Sequence, residues 1–137
     1  MTRQVEVVRP DAPIREAAEK MRSLDVGSLP VCDGQRLVGM ITDRDITIRA
    51  TADGRDPAQT PVSEAMTPEI VYCYDDQNVK EVAELMEERQ IRRLPIVSRD
   101  KQLVGIVSLG DLAVDTGKKK MAGRTLTEIS KPSRPDR

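Results

Sequence analysis

The chain of 137 residues has room for one compact domain or two packed half-domains. Its 22 basic and 23 acidic residues nearly cancel, which removes the overall charge signature of a nucleic-acid binder. With no His, Trp or Phe, it lacks the commonest general base and metal ligand, and its core must be aliphatic. Cys32 and Cys73 are too few for a disulfide framework or a structural zinc site. Both lie in apolar runs and read as buried free thiols.

The N-terminus has no apolar signal region, and no run approaches the roughly 20 apolar residues of a membrane helix. A soluble, cytoplasmic protein is expected. Ile14, Ala17, Ala18 and Met21 recur at helical spacing, with Asp11 as the capping carboxylate and Pro13 in the first turn. Residues 29–31 and 37–41 are short aliphatic runs joined by Cys32-Asp33-Gly34-Gln35-Arg36, which reads as a hairpin. A second helix is predicted over residues 43–50. Residues 51–61 are rich in Gly, Pro and Asp and read as a linker. Residues 62–66 read as a short helical lead into the second half.

The pattern then returns. Val79, Val82, Ala83 and Met86 form the next helix face, capped by Asp76 or Asn78. Residues 94–97 and 103–107 make a hairpin around residues 98–102, and a helix follows over 109–114. Residues 117–137 hold seven Lys/Arg against Glu128 and Asp136. A basic end of this kind is usually solvated. Within it, residues 121–129 read as a short helix. Residues 131–137 read as a mobile end whose removal leaves the melting temperature nearly unchanged.

The return is an internal repeat. Ile14-Arg15-Glu16-Ala17-Ala18-Glu19-Lys20-Met21 matches Val79-Lys80-Glu81-Val82-Ala83-Glu84-Leu85-Met86 at an offset of 65. Val26-Gly27-Ser28-Leu29-Pro30-Val31 matches Ile91-Arg92-Arg93-Leu94-Pro95-Ile96 at the same offset. One inserted residue later, Leu37-Val38-Gly39-Met40-Ile41-Thr42 matches Leu103-Val104-Gly105-Ile106-Val107-Ser108, and Asp45 falls on Asp111. Each unit reads strand, helix, strand, strand, helix. Met1-Thr2 aligns with Met66-Thr67, so the first unit lacks a counterpart of residues 62–65. Either the chain begins late or its native start lies upstream. The expected organisation is a first unit over 1–52, a linker over 53–61, a second unit over 62–115 and a basic tail over 116–137.

Gly39-Met40-Ile41-Thr42-Asp43-Arg44-Asp45 and Gly105-Ile106-Val107-Ser108-Leu109-Gly110-Asp111 resemble the G-h-x-[TS]-x-x-D signature of CBS domains. Leu29-Pro30-Val31 and Leu94-Pro95-Ile96 resemble the strand that precedes it. The likeness covers about residues 1–115, and the chain is similar to stand-alone bacterial CBS pairs of the hypoxic-response type. Ile91-Arg92-Arg93-Leu94 and residues 105–111 also resemble the nucleotide-sensing gamma subunit of AMP-activated kinase. The resemblance implies an α/β (α+β) fold of two βαββα units packed by pseudo-twofold symmetry, with a cleft holding two potential ligand sites.

It further implies adenosyl ligands, with AMP, ADP, ATP and S-adenosylmethionine as candidates and no required cofactor. Thr42 and Asp45, with Met40 and Arg44, form the first ligand-binding set. Ser108 and Asp111, with Ile106, Arg92, Arg93 and Val26 from the opposite unit, form the second. The closing Asp would accept two ribose hydroxyls, and a helix N-terminus would offer free N–H groups to a phosphate. Arg92-Arg93 stands where the first unit has Gly27-Ser28, so the sites are inequivalent and the second favours phosphate. Adjacent side chains alternate faces on a strand, so one arginine is expected to reach the cleft, with Arg92 preferred. The plainer reading treats Thr42-x-x-Asp45 and Ser108-x-x-Asp111 as helix caps. Gly39 and Gly105 before the motifs are read as allowing close approach of a ligand.

The leading function is therefore a regulatory nucleotide-binding module acting in trans on its dimer mate or on a regulated protein. The alternative is a ligand-free structural dimerisation module. No nucleophile elbow, phosphate-binding P-loop or metal cluster is present, so no enzyme is expected. The basic tail lacks aromatic residues for stacking on nucleic acid. Helix residues Met21, Leu24, Leu85 and Met86 read as more apolar surface than one thin module can bury, and a homodimer is expected.

Overall fold

A computed structural model describes residues 5–68, 70–108 and Gly110. The predicted helix over 109–114, the tail and Asp111 lie outside the described residues, as do Met1-Thr2. The described residues divide into two compact units, one of residues 6–70 and the other of Val5 with residues 71–108 and Gly110. Both are mixtures of helix and small sheet.

In the first unit, helix α1 (Ile14–Leu24) buries Ile14, Ala17 and Met21. Ala18, expected on the same face, is exposed instead. Hairpin strands β1 (Ser28–Asp33) and β2 (Arg36–Thr42) turn at Gly34, whose φ of 64° suits glycine. The register slips between Val31 and Cys32, which makes a bulge. Val8 pairs with Val31 as a parallel bridge on one side of the hairpin. On the other side, Met40 and Thr67 exchange backbone bonds of 3.0 and 2.8 Å. Helix α2 (Asp43–Asp45) runs directly into a π-helical turn, Ile46–Thr51. The β-branched run Ile46-Thr47-Ile48 disfavours a regular α-helix, and the Thr47 hydroxyl donates to the Asp43 carbonyl at 3.0 Å. A 3₁₀ turn, Val62–Glu64, completes the unit.

The start of α1 corrects the sequence reading. Asp11 does not cap it; its carboxylate pairs with Arg9 at 3.2 Å. Pro13 is the N-cap, and the first free N–H groups are satisfied from the linker. Ile14 N donates to the Thr60 carbonyl at 2.9 Å and Arg15 N to the Pro57 carbonyl at 3.0 Å. Thr60 is buried, and Val62 and Ala65 belong to the same core as Ile14, Val31 and Ile41. Residues 62–66 therefore begin the second repeat in sequence and pack into the first unit in space.

The second unit repeats the plan. Strand β3 (Cys73–Tyr74) lies parallel to β4 (Arg93–Val97), as Val8 lies beside β1. Helix α3 (Val79–Arg89) is capped by Asn78, whose Oδ1 accepts from Lys80 N at 2.8 Å and Glu81 N at 3.4 Å. Of the two candidate caps, Asn78 takes the role, and Asp76 binds Arg99 through two bonds of 2.8 Å. Strand β5 (Leu103–Ser108) pairs antiparallel with β4, with a register slip between Ile96 and Val97. The bulge is thus duplicated. So is the helix end: α1 and α3 stop at Asp25 and Gln90, both left-handed with φ near 55°. Val79, Val82 and Met86 pack on Leu94, Ile96 and Val107 to form this unit's core.

None of the four helix side chains expected to supply surplus apolar surface is exposed. Met21 and Met86 are buried in their own units, and Leu24 and Leu85 are half-buried against the same cores. Among the described residues, Ile48 is the large hydrophobic side chain left exposed, at 47%. Also among the described residues, no helix is long and apolar enough to cross a membrane.

Candidate functional site

Register decides which motif residues share a face. Ser28 opposes Thr42, and Pro30 opposes Met40. Side chains directly opposite on paired strands point the same way, and every second residue shares that face. Ser28, Pro30, Met40 and Thr42 therefore form one face of the first hairpin, opposite the core face of Leu29, Val31 and Ile41. In the second unit Arg93 opposes Ser108 and Pro95 opposes Ile106. The corresponding face there is Arg93, Pro95, Ile106 and Ser108.

This arrangement bears on the arginine pair. Arg93 is half-buried within β4 and in register with Ser108, whereas Arg92 is exposed and precedes the strand. The geometry thus favours Arg93 as the arginine on the motif face, where the sequence preference was Arg92. Val26 is half-buried and packs against the core of its own unit. Asp111 lies outside the described residues, so of the second unit's own members of this set only Ile106, Ser108, Arg92 and Arg93 can be placed.

The first motif is fully described and closes on itself. Thr42 Oγ1 accepts from Asp45 N at 3.0 Å, and Asp45 Oδ2 accepts from Thr42 N at 3.0 Å. This reciprocal capping box is the plainer of the two roles read from the sequence. It does not exhaust the carboxylate, which can accept about four hydrogen bonds. Arg49 Nε stands 3.9 Å from Asp45 Oδ1.

Two expectations about this motif are corrected. The first helical turn offers no free donors to a phosphate. Asp43 N donates to the Gly27 carbonyl at 2.9 Å, Arg44 N to Asp43 Oδ1 at 2.8 Å, and Asp45 N to Thr42. Gly39 is also explained without a ligand. A Cβ there would lie 2.9 Å from both the Thr67 carbonyl and Met66 Sδ, so glycine admits the chain's own Met66-Thr67 segment.

Arg49 and Asp43 matter to the motif and were not singled out from sequence. Arg49 Nη1 donates to the carbonyls of Ala65 at 3.3 Å and Met66 at 3.1 Å, tying the π-helical turn to the segment beside β2. Its spacing of four from Asp45 was the available signal. Arg44 is exposed.

Other chemistry-bearing groups lie apart from the motifs. Burial pushes the thiols of Cys32 and Cys73 up to about 11, so both stay protonated and unreactive near neutrality. Tyr72 and Tyr74 meet edge to face at 5.7 Å, with Arg99 4.0 Å above the Tyr74 ring. Among the described residues, no three His, Cys, Asp or Glu side chains gather as a metal site. A shallow surface depression lined by Arg15, Ala18, Glu19 and Arg22 lies on α1 and includes no candidate residue.

Known proteins match over both repeats. The CBS domain family matches residues 1–50 and 62–114. The chain is 50% identical over 130 residues to the CBS domain-containing protein YhcV of Bacillus subtilis, covering 95% of this chain and 91% of that protein. Among solved structures, Hypoxic Response Protein I, determined with two coordinated zinc ions, is 40% identical. It superposes with a TM-score of 0.72 over 81% of this chain and 90% of that one. CBSX2 in complex with AMP is 28% identical, with a TM-score of 0.72 over 84% of this chain and 89% of that one. Two family matches on the two halves of an internal repeat, each carrying the duplicated hairpin, bulge and motif, place the chain in the CBS-domain family as a tandem pair.

Proposed function

We propose that this CBS pair is a regulatory module that binds an adenosine nucleotide or related adenosyl compound and acts in trans, as a homodimer or on a separate protein. The observation that carries the reading is the second-unit face, where Arg93 and Ser108 stand in register beside Ile106. A guanidinium suits phosphate, a hydroxyl suits ribose, and aliphatic Ile106 and Pro95 suit the flat face of adenine. Asp111 completes this set as the acceptor for the ribose diol. The AMP complex of CBSX2, a relative by fold and sequence, supports the choice of ligand. The role is binding, without catalysis, in a cytoplasmic setting.

Calorimetric titration tests it. AMP and ATP bind the intact chain. At the second site, Asp111→Ala weakens every adenosyl ligand by about 1.5–3 kcal/mol, the scale of a hydrogen bond to a charged group. Arg93→Ala weakens AMP and ATP while leaving adenosine nearly unchanged. Failure of AMP, ATP, adenosine and S-adenosylmethionine to bind would remove the reading.

One set of observations favours the second reading, a ligand-free interaction module. In the first unit Thr42, Asp45 and Gly39 each have a structural role that needs no ligand. That module would dimerise through exposed helical surface including Ile48. Light scattering with and without AMP separates the readings: the interaction module forms the same dimer under both conditions and shows no heat of binding.

A further inference from the structure

The two motifs differ at their mouths in a way that the counts of arginine alone do not express. In the first unit the opening donors of α2 are all engaged. Asp43 N binds the Gly27 carbonyl, Arg44 N binds Asp43 Oδ1, Asp45 N binds Thr42 Oγ1, and Ile46 N binds the Asp43 carbonyl. A phosphate arriving beside Thr42 meets no vacant N–H on this turn.

It meets a carboxylate instead. Asp43 is exposed, and among the described residues no basic side chain forms an ion pair with it. A Cβ on Gly27 would lie 3.3 Å from Asp43 Oδ2, so the carboxylate is seated over that glycine. The repeat puts Arg92 at the Gly27 position and Leu109 at the Asp43 position. In sequence, the first unit thus has glycine and a carboxylate at the two positions where the second has arginine and leucine. The turn Asp43-Arg44-Asp45 carries two carboxylates against one guanidinium, so it exerts no net attraction on an anion.

We propose that Asp43 makes the first unit's site selective for adenosyl compounds whose 5′ substituent is uncharged or cationic, and unfavourable to 5′-phosphates. The proposal rests on the adenosyl-binding reading above. Adenosine and the sulfonium compound S-adenosylmethionine belong to the favoured class; AMP and ATP do not. The pair would then hold two different adenosyl signals rather than two copies of one.

The test uses the full chain carrying Asp111→Ala, which weakens the second site, with Asp111→Asn as a shape-preserving control. Adenosine, S-adenosylmethionine and AMP are titrated into it with and without Asp43→Asn. Asparagine keeps the Oδ1 acceptor for Arg44 N, so the turn stays intact. Adenosine and S-adenosylmethionine are expected to bind better than AMP. Asp43→Asn is expected to raise AMP affinity roughly two- to fivefold, the scale of one exposed charge pair. It should lower S-adenosylmethionine affinity similarly, leave adenosine unchanged, and lose its effect in high salt. An AMP-to-adenosine ratio that Asp43→Asn does not move overturns the proposal. So does an intact chain that binds AMP while the Asp111 variants bind nothing, an outcome that leaves the functional reading standing. No adenosyl binding by any variant, the intact chain included, defeats both.

Discussion

The two repeats build the same helix and hairpin but secure the helix differently. Helix α3 is capped within its own segment by Asn78. Helix α1 takes carbonyls from Pro57 and Thr60, more than 40 residues further along the chain. The α3 arrangement is local and depends on a side chain. The α1 arrangement is long-range and depends only on backbone. Copies of one sequence pattern can therefore share a fold while differing in which residues their stability rests on.

Substitutions can sharpen that contrast. The largest expected effect is at Gly39, where the first unit admits Thr67. Gly39→Ala places a methyl 2.9 Å from a backbone carbonyl that cannot swing aside. A loss of about 1–3 kcal/mol in denaturant unfolding is expected, the range for overpacking. A neutral result would mean that Met66 and Thr67 can leave β2 freely.

The caps come next. Asn78→Ala should cost about 0.5–2 kcal/mol, as for loss of an N-cap side chain. Asp11→Ala should stay within about 0.5 kcal/mol, because Asp11 caps nothing. Equal losses at the two positions would erase the distinction between local and borrowed capping.

The smallest effect concerns a surface pair found in the second unit. Hydrogen bonds from Arg99 hold the Asp76 carboxyl below its ordinary range. A depressed folded-state pKa stabilises above the unfolded carboxylate value, and that contribution is lost as pH falls through the folded value. The pair is exposed and screened, so its share is small. Arg99→Ala should move the Asp76 titration upward, measured by NMR, with the acid limb of the melting curve shifting the same way. An unmoved Asp76 would show that the pair does not persist in solution.

Most of the repeat architecture was legible because it rests on local pattern. Aliphatic runs around Gly34 read as a hairpin, the spacing of Val79, Val82 and Met86 read as a helix face, and Asn78 was one of two candidate caps. What was illegible depends on distance. Pro57 and Thr60 cap α1 through carbonyls, which every residue carries, so no residue type advertises the role. Gly39 was assigned to a ligand because its neighbour Thr67 is far off in sequence. The choice between Arg92 and Arg93 turns on where β4 begins, and one residue reverses the face. Thr42 and Asp45 stood open between capping and binding; their mutual bonds establish the cap and leave the binding role to titration.

The return of residues 57–66 into the first unit determines where this chain tolerates division. Cutting at residue 52, where the internal likeness pauses, would strip α1 of its borrowed carbonyls and leave a hole where Val62 and Ala65 belong. Cutting after Ile70 would keep both. Chimeras exchanging halves between relatives must carry residues 53–70 with the N-terminal portion.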